Sequence, residues 1–588
     1  MSRRSVFGEH SRTFEDDDDG GRSEDEQSLS DEEPLSLPEE PADHSSDQDY
    51  SLSHGSADES DSSCSSDNEG DDESPEDAPA DEDSECDFRE LNASAEEPAT
   101  RGVRVGRGAR GRGRGRGRAR NPIPRNAGDE EVVREDMVDG QVVRSMEYKA
   151  KDNTMWKSTP FRRTRTPEAN TFRPPANRIP NTGNAHTPVD VYNLFLSRNI
   201  ILEIVACTNE EGRRQRGEQW KKTDFMEMEA LFGVLLFIGA QKQSKASTEK
   251  IWTPLIGQDY VRATMGRNRY FELMNALRFD HKDSRRQRLQ SDKLAHFRRI
   301  HEMHEQNLKT HYNPGAYLTV DEQLMPFRGR CSFIQYMPSK PAKYGLKLYW
   351  ICDADNAYPL KSIPYIGKGS YEAGETDTGL QHGGEVVTVL AHPWLDKGRN
   401  ITTDNYFTDH ELAEQLYEKK TTLVGTVRRN RKFVPKKFRE KKHLKLHHSL
   451  FGFQKNKMLM SYQGKKKQNV ILMSSMHDDE KVVGEEKKPT AIGFYNKTKG
   501  AVDTMDKLCL TFTCKRKTKR WPVVLMMNIL DVSTVAALVI YRIKFPRDKL
   551  SGADYRGDFI LEVAKALMMP EMIRRSEIPT LKRPLKVH

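Results

Sequence analysis

Four acidic residues have positions suited to metal-dependent chemistry: Asp321, Asp404, Asp503 and Asp506. Asp321 lies inside an otherwise apolar predicted strand, and Asp404 directly follows a second, short strand. Asp503 and Asp506 are three residues apart and therefore share one face of a predicted helix. Clustered carboxylates can hold two divalent ions, one activating the attacking oxygen of a phosphodiester reaction and the other stabilising the leaving oxygen. Mg²⁺ suits this task because it takes carboxylate oxygens while keeping waters and substrate phosphate.

Each acid also has a simpler interpretation. Asp404 could be a turn residue, and Asp503 and Asp506 could complement the positive N-terminus of their helix. Asp321 is the hardest to explain in this way, because a carboxylate among apolar strand residues is costly unless it is paired or bound to metal. Residue types and spacing alone leave both interpretations open.

The segments that must position these acids predict an α/β fold. Short β-branched or aromatic runs predict strands at 317–324, 345–352, 358–366, 401–403 and 421–427. A helix over 408–419 is predicted from the capping box of Thr408 and Glu411. The order predicts a mixed sheet with helices packed on it. Three further strand-like pieces, at 450–454, 458–462 and 469–475, indicate a β-rich insertion before a last helix that resumes after residue 499.

The regions on both sides are predicted to be helical. Thr187, Pro188 and Asp190 supply an N-cap, a first-turn proline and an N3 acid. Further helices are predicted over 224–241, 258–277 and about 293–308. The charge run at 285–288 is predicted to be a solvated loop, with a DNA contact as the alternative. The apolar run at 522–543 contains Asn528, Asp531, Ser533 and Thr534, which favours a buried helix over a membrane span.

Charge is strongly segregated along the 588 residues. Residues 1–100 carry 35 acidic and 5 basic residues, a net charge of −30, whereas the remainder carries 89 basic and 54 acidic residues, a net charge of +35. The basic body favours a polyanionic partner, with nucleic acid as the leading class. The acidic tail is predicted to be disordered, with serines that suit an acid-directed kinase. Seven cysteines without a pattern of close pairs favour a reducing compartment.

An Arg-Gly tract at 101–120 holds nine Arg and seven Gly without an acid. It is predicted to be a flexible linker, with a phosphate- or RNA-binding segment as the alternative. Ordered structure is expected to begin near residue 185, which leaves 101–184 as tract and linker.

Six collinear segments closely resemble the piggyBac family of DNA transposases. They are YNPGAYLTVDEQL at 312–324, FRGR at 327–330, MPSKPAKYGLK at 337–347, NITTDNYFT at 400–408, GTVRRNR at 425–431 and YNKTKGAVDTMD at 495–506. The similarity extends from about residue 187 to 583.

The resemblance implies an RNase H-like catalytic domain. Its first part is expected at 317–429, its last helix at 493–512, and a β-rich insertion between them at 430–492. Helical segments at 185–316 and 513–588 would form the dimerisation and DNA-binding domain. Asp321, Asp404 and Asp503 match the family's catalytic aspartates and Asp506 its accessory acid. Two Mg²⁺ or Mn²⁺ ions would be held there, with Asp321 bridging both.

The resemblance also implies a substrate and a setting. The family cuts double-stranded DNA at terminal inverted repeats and joins the element at TTAA sites, so a nuclear homodimer with no membrane association is expected. Arg428 and Arg431 match positions that hold DNA, with a solvated loop as the alternative. A second basic cluster is expected to contact phosphate or to serve as a nuclear-import signal: Lys515, Arg516, Lys517, Lys519 and Arg520.

One feature departs from the family pattern. PiggyBac transposases usually end in a cysteine-rich zinc module, yet no cysteine follows Cys514 in this sequence. The intact acids favour a metal-dependent transposase, whereas the missing module favours a domesticated derivative that binds DNA or chromatin without transposing. A third hypothesis is that the protein mainly binds RNA. It ranks last, because it explains only the Arg-Gly tract.

Overall fold

The computed structural model describes residues 131–138, 141–161, 165–254, 257–338, 340–367, 380–440, 445–466, 468–546 and 554–579. The predictions of a disordered acidic tail and of a flexible Arg-Gly tract concern residues outside this described part.

Helices dominate the segment that precedes the central strands. The predicted start at Thr187 is confirmed: its hydroxyl accepts from the Asp190 backbone N–H at 3.2 Å, and the Asp190 carboxylate accepts from the Thr187 N–H at 2.9 Å. The helix predicted over 224–241 is also confirmed, with Asp224 as its N-cap. The helices are α1 (Pro188–Asn193), α2 (Arg198–Arg216), α3 (Phe225–Ala240), α4 (Thr248–Trp252), α5 (Asp259–Thr264), α6 (Arg267–Ala276), α7 (Lys282–Arg288) and α8 (Arg298–His311).

The prediction of one continuous helix over 258–277 is wrong. α5 and α6 are separated at Met265, which has an extended backbone. The Met265 carbonyl accepts a hydrogen bond from Trp252 Nε1 at 2.8 Å rather than from a helical N–H. The predicted helix is therefore interrupted at the residue that contacts the buried indole, and α6 resumes at Arg267.

The prediction of a solvated loop at the 285–288 charge run is wrong as well. These residues form the end of α7, and two of them meet a buried acid. Arg285 and Arg288 each lie 2.8 Å from a carboxylate oxygen of Asp280, which is 8% exposed. An ion pair with a buried carboxylate thus organises a run that would otherwise be a solvated face.

One large mixed sheet forms the centre of the protein, which confirms the predicted α/β class. The strands are β1 (Glu131–Val138), β2 (Gln141–Lys149), β3 (Met155–Lys157), β4 (Tyr317–Pro326), β5 (Gln335–Tyr336), β6 (Tyr344–Asp353), β7 (Pro359–Pro364), β8 (Asn400–Thr403), β9 (Thr422–Thr426), β10 (Ser449–Phe453), β11 (Met458–Lys465), β12 (Gln468–Ser474), β13 (Val482–Val483) and β14 (Lys488–Pro489). The sheet has twelve strands: eleven lie in the order β1-β2-β3-β10-β11-β12-β9-β8-β4-β6-β5, and the twelfth, β7, pairs with β6. β13 and β14 form a separate pair.

The sheet has a parallel centre with antiparallel pairs on both sides. β4, β8 and β9 are parallel to one another, and β6 runs antiparallel to β4. β12 pairs antiparallel with β9, so the β-rich insertion continues the central sheet. β8 ends where its pairing with β4 ends, whereas β4 continues to Pro326, so the carboxyl end of β8 lies beside the middle of β4.

The expectation that ordered structure begins near residue 185 is wrong. β1, β2 and β3 precede that point, and β3 pairs with β10 of the insertion. Trp156 of β3 is fully buried, and its Nε1 donates to the Phe433 carbonyl at 2.9 Å. The sequence signal for this hairpin is the Asp139-Gly140 pair between two runs that contain valine. The many charged residues of these runs make the signal hard to recognise.

The capping box predicted at Thr408 is also wrong. The N-cap of the following helix is Asp409, whose side chain accepts from the Glu411 N–H at 3.2 Å. The Thr408 hydroxyl instead donates to the Asp404 carbonyl at 2.7 Å and lies 2.8 Å from Thr403 Oγ1. Thr408 thus stabilises the turn that follows β8.

The remaining helices cover the sheet and complete the core. They are α9 (His382–Ala391), α10 (His410–Glu418), α11 (Lys436–Arg439), α12 (Thr490–Thr498), α13 (Ala501–Thr511), α14 (Trp521–Lys544) and α15 (Tyr555–Ser576). Among the described helices, α14 has the length and apolarity of a membrane span, but 94% of its most apolar window is buried inside the protein. The prediction of a buried core helix is confirmed.

Candidate active site

Two aspartates directly follow the last residues that the parallel strands β4 and β8 pair with each other. The register of β4 and β8 ends with Val320 opposite Thr403, and the next residues are Asp321 and Asp404. Adjacent strands are separated by about 4.8 Å, and side chains at matching positions of parallel strands project from the same face. The backbone therefore brings the two carboxylates side by side.

The face from which these carboxylates project is covered by α12. Side chains alternate along a strand, so Asp321 shares its face with Thr319. The Thr319 hydroxyl donates to the Thr498 carbonyl at 2.5 Å, and the Thr402 hydroxyl lies 2.7 Å from Thr498 Oγ1. These contacts fix the end of α12 against β4 and β8. The chain then continues into α13, which carries Asp503 in its first turn.

The two acids of α13 have different surroundings. The Asp503 side chain is 67% exposed, and its Oδ1 lies 3.9 Å from Lys340 Nζ. Asp506 is half-buried and accepts a hydrogen bond from Gln323 Nε2 at 2.6 Å. Gln323 lies two residues after Asp321 on the same face of β4, so α13 presents Asp506 to the side of the sheet that carries Asp321.

The carboxylates interact electrostatically. Burial raises the pKa of Asp321 to about 7, and the charges of Glu322, Asp404 and Asp503 add to this shift. The pKa of Asp404 is also raised, by burial and by the charge of Glu322, although backbone N–H groups and Arg428 oppose the shift. Neighbouring carboxylates disfavour one another's ionisation, and a cation between them would reduce that electrostatic repulsion.

The donor set fits a hard divalent cation, because Asp321, Asp404, Asp503 and Asp506 offer only carboxylate oxygens. Within the described part of the chain, the only group of three potential ligand side chains whose ligand atoms all lie within 4.8 Å of one another is elsewhere in the protein. The oxygens of Asp321, Asp404 and Asp503 are therefore not all drawn that close. Asp503, which is largely exposed, has the freedom to turn towards the other two.

The two arginines expected to hold DNA lie in different environments. Arg428 is exposed, its Nε donates to Asn405 Oδ1 at 3.0 Å, and its guanidinium stacks 5.6 Å from the Tyr406 ring centre. Arg431 is 15% exposed and pairs with Asp409 at 3.1 Å. Arg428 can thus reach an external anion next to Asp404, whereas Arg431 supports the N-terminus of α10.

Two members of the 515–520 basic cluster are occupied by backbone carbonyls. Arg516 donates to the Gln243 carbonyl at 3.2 Å and to the Ser244 carbonyl at 2.8 Å, just beyond α3. Arg520 donates to the Met274 carbonyl at 2.8 Å and to other carbonyls at the end of α6. Burial lowers the pKa of Arg520 to about 9. These guanidinium groups satisfy helix C-termini and join the first helical segment to the last.

The three lysines of the cluster are placed differently. Lys515 is half-buried, and its Nζ donates to Asn528 Oδ1 at 3.0 Å. Lys517 and Lys519 are exposed. Lys517 lines an open cleft of about 690 Å³ together with Lys245. Of the five residues, Lys517 and Lys519 have the exposure that a phosphate contact requires.

Three polar residues near the acids have no assigned role in the sequence analysis: Gln323, Lys347 and Tyr495. Gln323 is fully buried, and its Oε1 accepts from Trp350 Nε1 at 3.0 Å and from Asn528 Nδ2 at 3.1 Å. Lys347 Nζ lies 3.7 Å from Glu322 Oε2. Burial, together with the charges of the three aspartates, raises the pKa of Tyr495. The sequence feature that could have identified Gln323 is its polar side chain in an otherwise apolar predicted strand, where a buried amide needs hydrogen-bond partners.

Comparison with known proteins agrees with the resemblance in the motifs. A family model described as "Transposase IS4" matches residues 187–538. The chain is also similar to a solved structure described as the cryo-EM structure of a piggyBac transposase synaptic complex with hairpin DNA. The two sequences are 34% identical, the match covers 70% of this chain and 86% of that chain, and the TM-score is 0.65.

Proposed function

The chain belongs to the piggyBac-type family of DNA transposases, and on that premise we propose that Asp321, Asp404 and Asp503 are its catalytic aspartates in an RNase H-like domain. The observation that carries the proposal is the parallel register that gives Asp321 and Asp404 matching positions on the neighbouring strands β4 and β8. The electrostatic effect of Asp404 and Asp503 on Asp321 supports it.

In this proposal the acids hold two Mg²⁺ or Mn²⁺ ions. Asp321 would bind both, Asp404 and Asp503 one each, and Asp506 would serve as an accessory acid. When bound, such ions activate the attacking oxygen and stabilise the leaving oxygen of a phosphodiester. Gln323 holds Asp506 by a hydrogen bond of 2.6 Å and thereby limits its rotation.

Basic side chains around the acids supply the phosphate contacts in this proposal. Arg428 adjoins Asp404 through the Asn405 contact, Lys347 adjoins Glu322, and Lys340 adjoins Asp503. Their positive charges can orient a DNA backbone whose scissile phosphate lies over the carboxylates.

The substrate follows from the family. We propose that the protein cleaves double-stranded DNA at terminal inverted repeats, inserts at TTAA targets and acts as a homodimer in the nucleus. The acidic tail is proposed as the substrate of an acid-directed kinase. The competing proposal is a domesticated DNA- or chromatin-binding protein without transposition.

A cleavage assay tests the proposal. The full chain is incubated with Mg²⁺ and linear DNA that carries the inverted repeats flanking its coding region. We expect strand cleavage that Asp404→Asn abolishes, whereas Asp479→Asn, at an exposed site outside the cluster, retains it. DNA binding, measured separately, should survive both substitutions.

Two outcomes would overturn the assignment. Wild-type cleavage by Asp404→Asn would contradict the proposed site. Tight DNA binding without cleavage by the unmodified protein, in Mg²⁺ and in Mn²⁺, would favour the domesticated alternative.

A further inference from the structure

A second group of ligand side chains lies on α2, separate from the carboxylates of the sheet. Glu203, Cys207 and Glu210 are spaced i, i+4 and i+7 and therefore share one face of this helix. His281, the residue immediately before α7, faces them. Glu203, Cys207 and His281 are the one group of three in the described chain whose ligand atoms all lie within 4.8 Å of one another.

The distances approach those of a tetrahedral metal site. Cys207 Sγ lies 4.0 Å from His281 Nε2, and that nitrogen lies 3.8 Å from Glu203 Oε1. Zinc bonds of about 2.0–2.3 Å to nitrogen, oxygen and sulfur separate tetrahedral ligand atoms by roughly 3.5 Å. The third pair, Glu203 and Cys207, lies within 4.8 Å. Side-chain shifts on the order of 1 Å would bring these three atoms into coordination.

His281 is oriented as a metal ligand by a further carboxylate. Its Nδ1 lies 2.7 Å from Glu210 Oε2. When Nδ1–H donates to this carboxylate, the lone pair is on Nε2, which is the nitrogen directed at Cys207 and Glu203. A carboxylate behind a histidine is the usual outer-shell partner that fixes the tautomer of a zinc-ligating imidazole.

We propose that Glu203, Cys207 and His281 bind a zinc ion, with water as the fourth ligand. A thiolate, an imidazole and a carboxylate form a ligand set that Zn²⁺ accepts and that Mg²⁺ does not favour. An open cleft of about 540 Å³ borders Cys207 and Glu210 and admits the water. The ion would join α2 to α7, so its role is to stabilise the helical segment.

Arg299 would compete with this ion for the Glu203 carboxylate. Its Nε lies 2.9 Å from the same Glu203 oxygen, but the Arg299 side chain is 67% exposed and can swing into solvent. A purely ionic arrangement of a protonated His281 with Glu203 and Glu210 would explain two contacts. It would not explain why a buried thiol faces the imidazole among acids.

Cobalt substitution tests the proposal in the full chain. After removal of metals with a chelator, the protein is titrated with Co²⁺, whose bond to a thiolate gives a charge-transfer band that carboxylate sites lack. We expect the band to saturate at one equivalent and to vanish when Zn²⁺, the stronger binder, is added. Cys207→Ser and His281→Gln should lose the band, and Cys331→Ser, a half-buried cysteine elsewhere, should keep it.

A second measurement guards against misfolding of the Cys207 variant. His281 is 51% exposed, so His281→Gln should keep the wild-type circular dichroism spectrum. Zn²⁺ should raise the melting temperature of the wild type, because an ion that binds only the folded state stabilises it, and should leave that of His281→Gln unchanged. A wild type without the band, or a band that persists in Cys207→Ser, would overturn the proposal.

Discussion

The buried amide of Gln323 donates a 2.6 Å hydrogen bond to the carboxylate of Asp506, which links β4 to α13 beside the proposed catalytic aspartates. The same amide accepts hydrogen bonds from Trp350 and Asn528. A side chain with no solvent exposure thus joins the central strand, the neighbouring strand, the last helix of the site and the core helix α14. This hydrogen bond fixes the Asp506 carboxylate relative to β4.

Gln323→Leu should impair both stability and cleavage. It leaves the partners of the amide unpaired in the interior, which costs about 1–3 kcal/mol of unfolding free energy. It also frees Asp506, and loss of such an outer contact reduces activity by roughly 10–100-fold. Denaturant unfolding and single-turnover cleavage measure the two effects. Gln306→Leu, at an exposed position of α8, is the control, and equal cleavage rates in both variants would refute the linking role.

Arg428→Ala should weaken DNA binding in a salt-dependent manner. Each phosphate contact releases counterions, so removal of one should make the slope of log K against log salt shallower by about one. Fluorescence anisotropy over a range of salt concentrations measures this slope. Arg173→Ala, whose side chain is 64% exposed beside Glu168, should leave it unchanged. An unaltered slope in Arg428→Ala would contradict the phosphate contact and favour the interpretation of Arg428 as a residue of a solvated loop.

Two neighbours in the basic cluster should respond in opposite ways. Arg520→Ala leaves carbonyls at the end of α6 without a partner and should lower the unfolding free energy by about 1–3 kcal/mol. Lys517→Ala, at an exposed site, should leave stability unchanged and reduce DNA affinity. Thermal melts and binding isotherms distinguish the two. A stable Arg520→Ala protein with weakened DNA binding would contradict the structural role.

Acid should destabilise the protein through two buried histidines of α8. Burial lowers the pKa of both His301 and His304 to about 3, so the folded protein keeps them neutral. The unfolded chain binds protons near pH 6.5 and therefore holds more protons between pH 6.5 and 3. The contribution of the two neutral histidines to the free energy of unfolding is thus complete above pH 6.5 and is lost as the pH decreases.

The pH dependence can be assigned by substitution. His304→Gln removes one titrating group next to Ser533 and should flatten the decline in unfolding free energy between pH 6.5 and 5. Urea unfolding at several pH values measures the slope, and His186→Gln, at an exposed site, is the control. A slope in His304→Gln equal to that of the wild type would show that other groups cause the acid sensitivity.

Local sequence pattern was sufficient for the parts of the fold that depend on neighbours in the chain. The strand that ends before Asp404 and the cap at Thr187 are confirmed because alternation and capping act over a few residues. The strand pairing of β3 with β10 and the Arg520 contacts with α6 could not be predicted in this way. Both join segments far apart in sequence, and positive charge does not reveal whether a guanidinium meets phosphate or a backbone carbonyl.

The most direct test of the central claim is a structure of the protein determined with Mn²⁺, using anomalous scattering to locate the ions. The account predicts two manganese peaks, with Asp321 in contact with both and with Asp404 and Asp503 on opposite sides. Ordered carboxylates that remain apart without manganese between them, at concentrations that support cleavage, would contradict it.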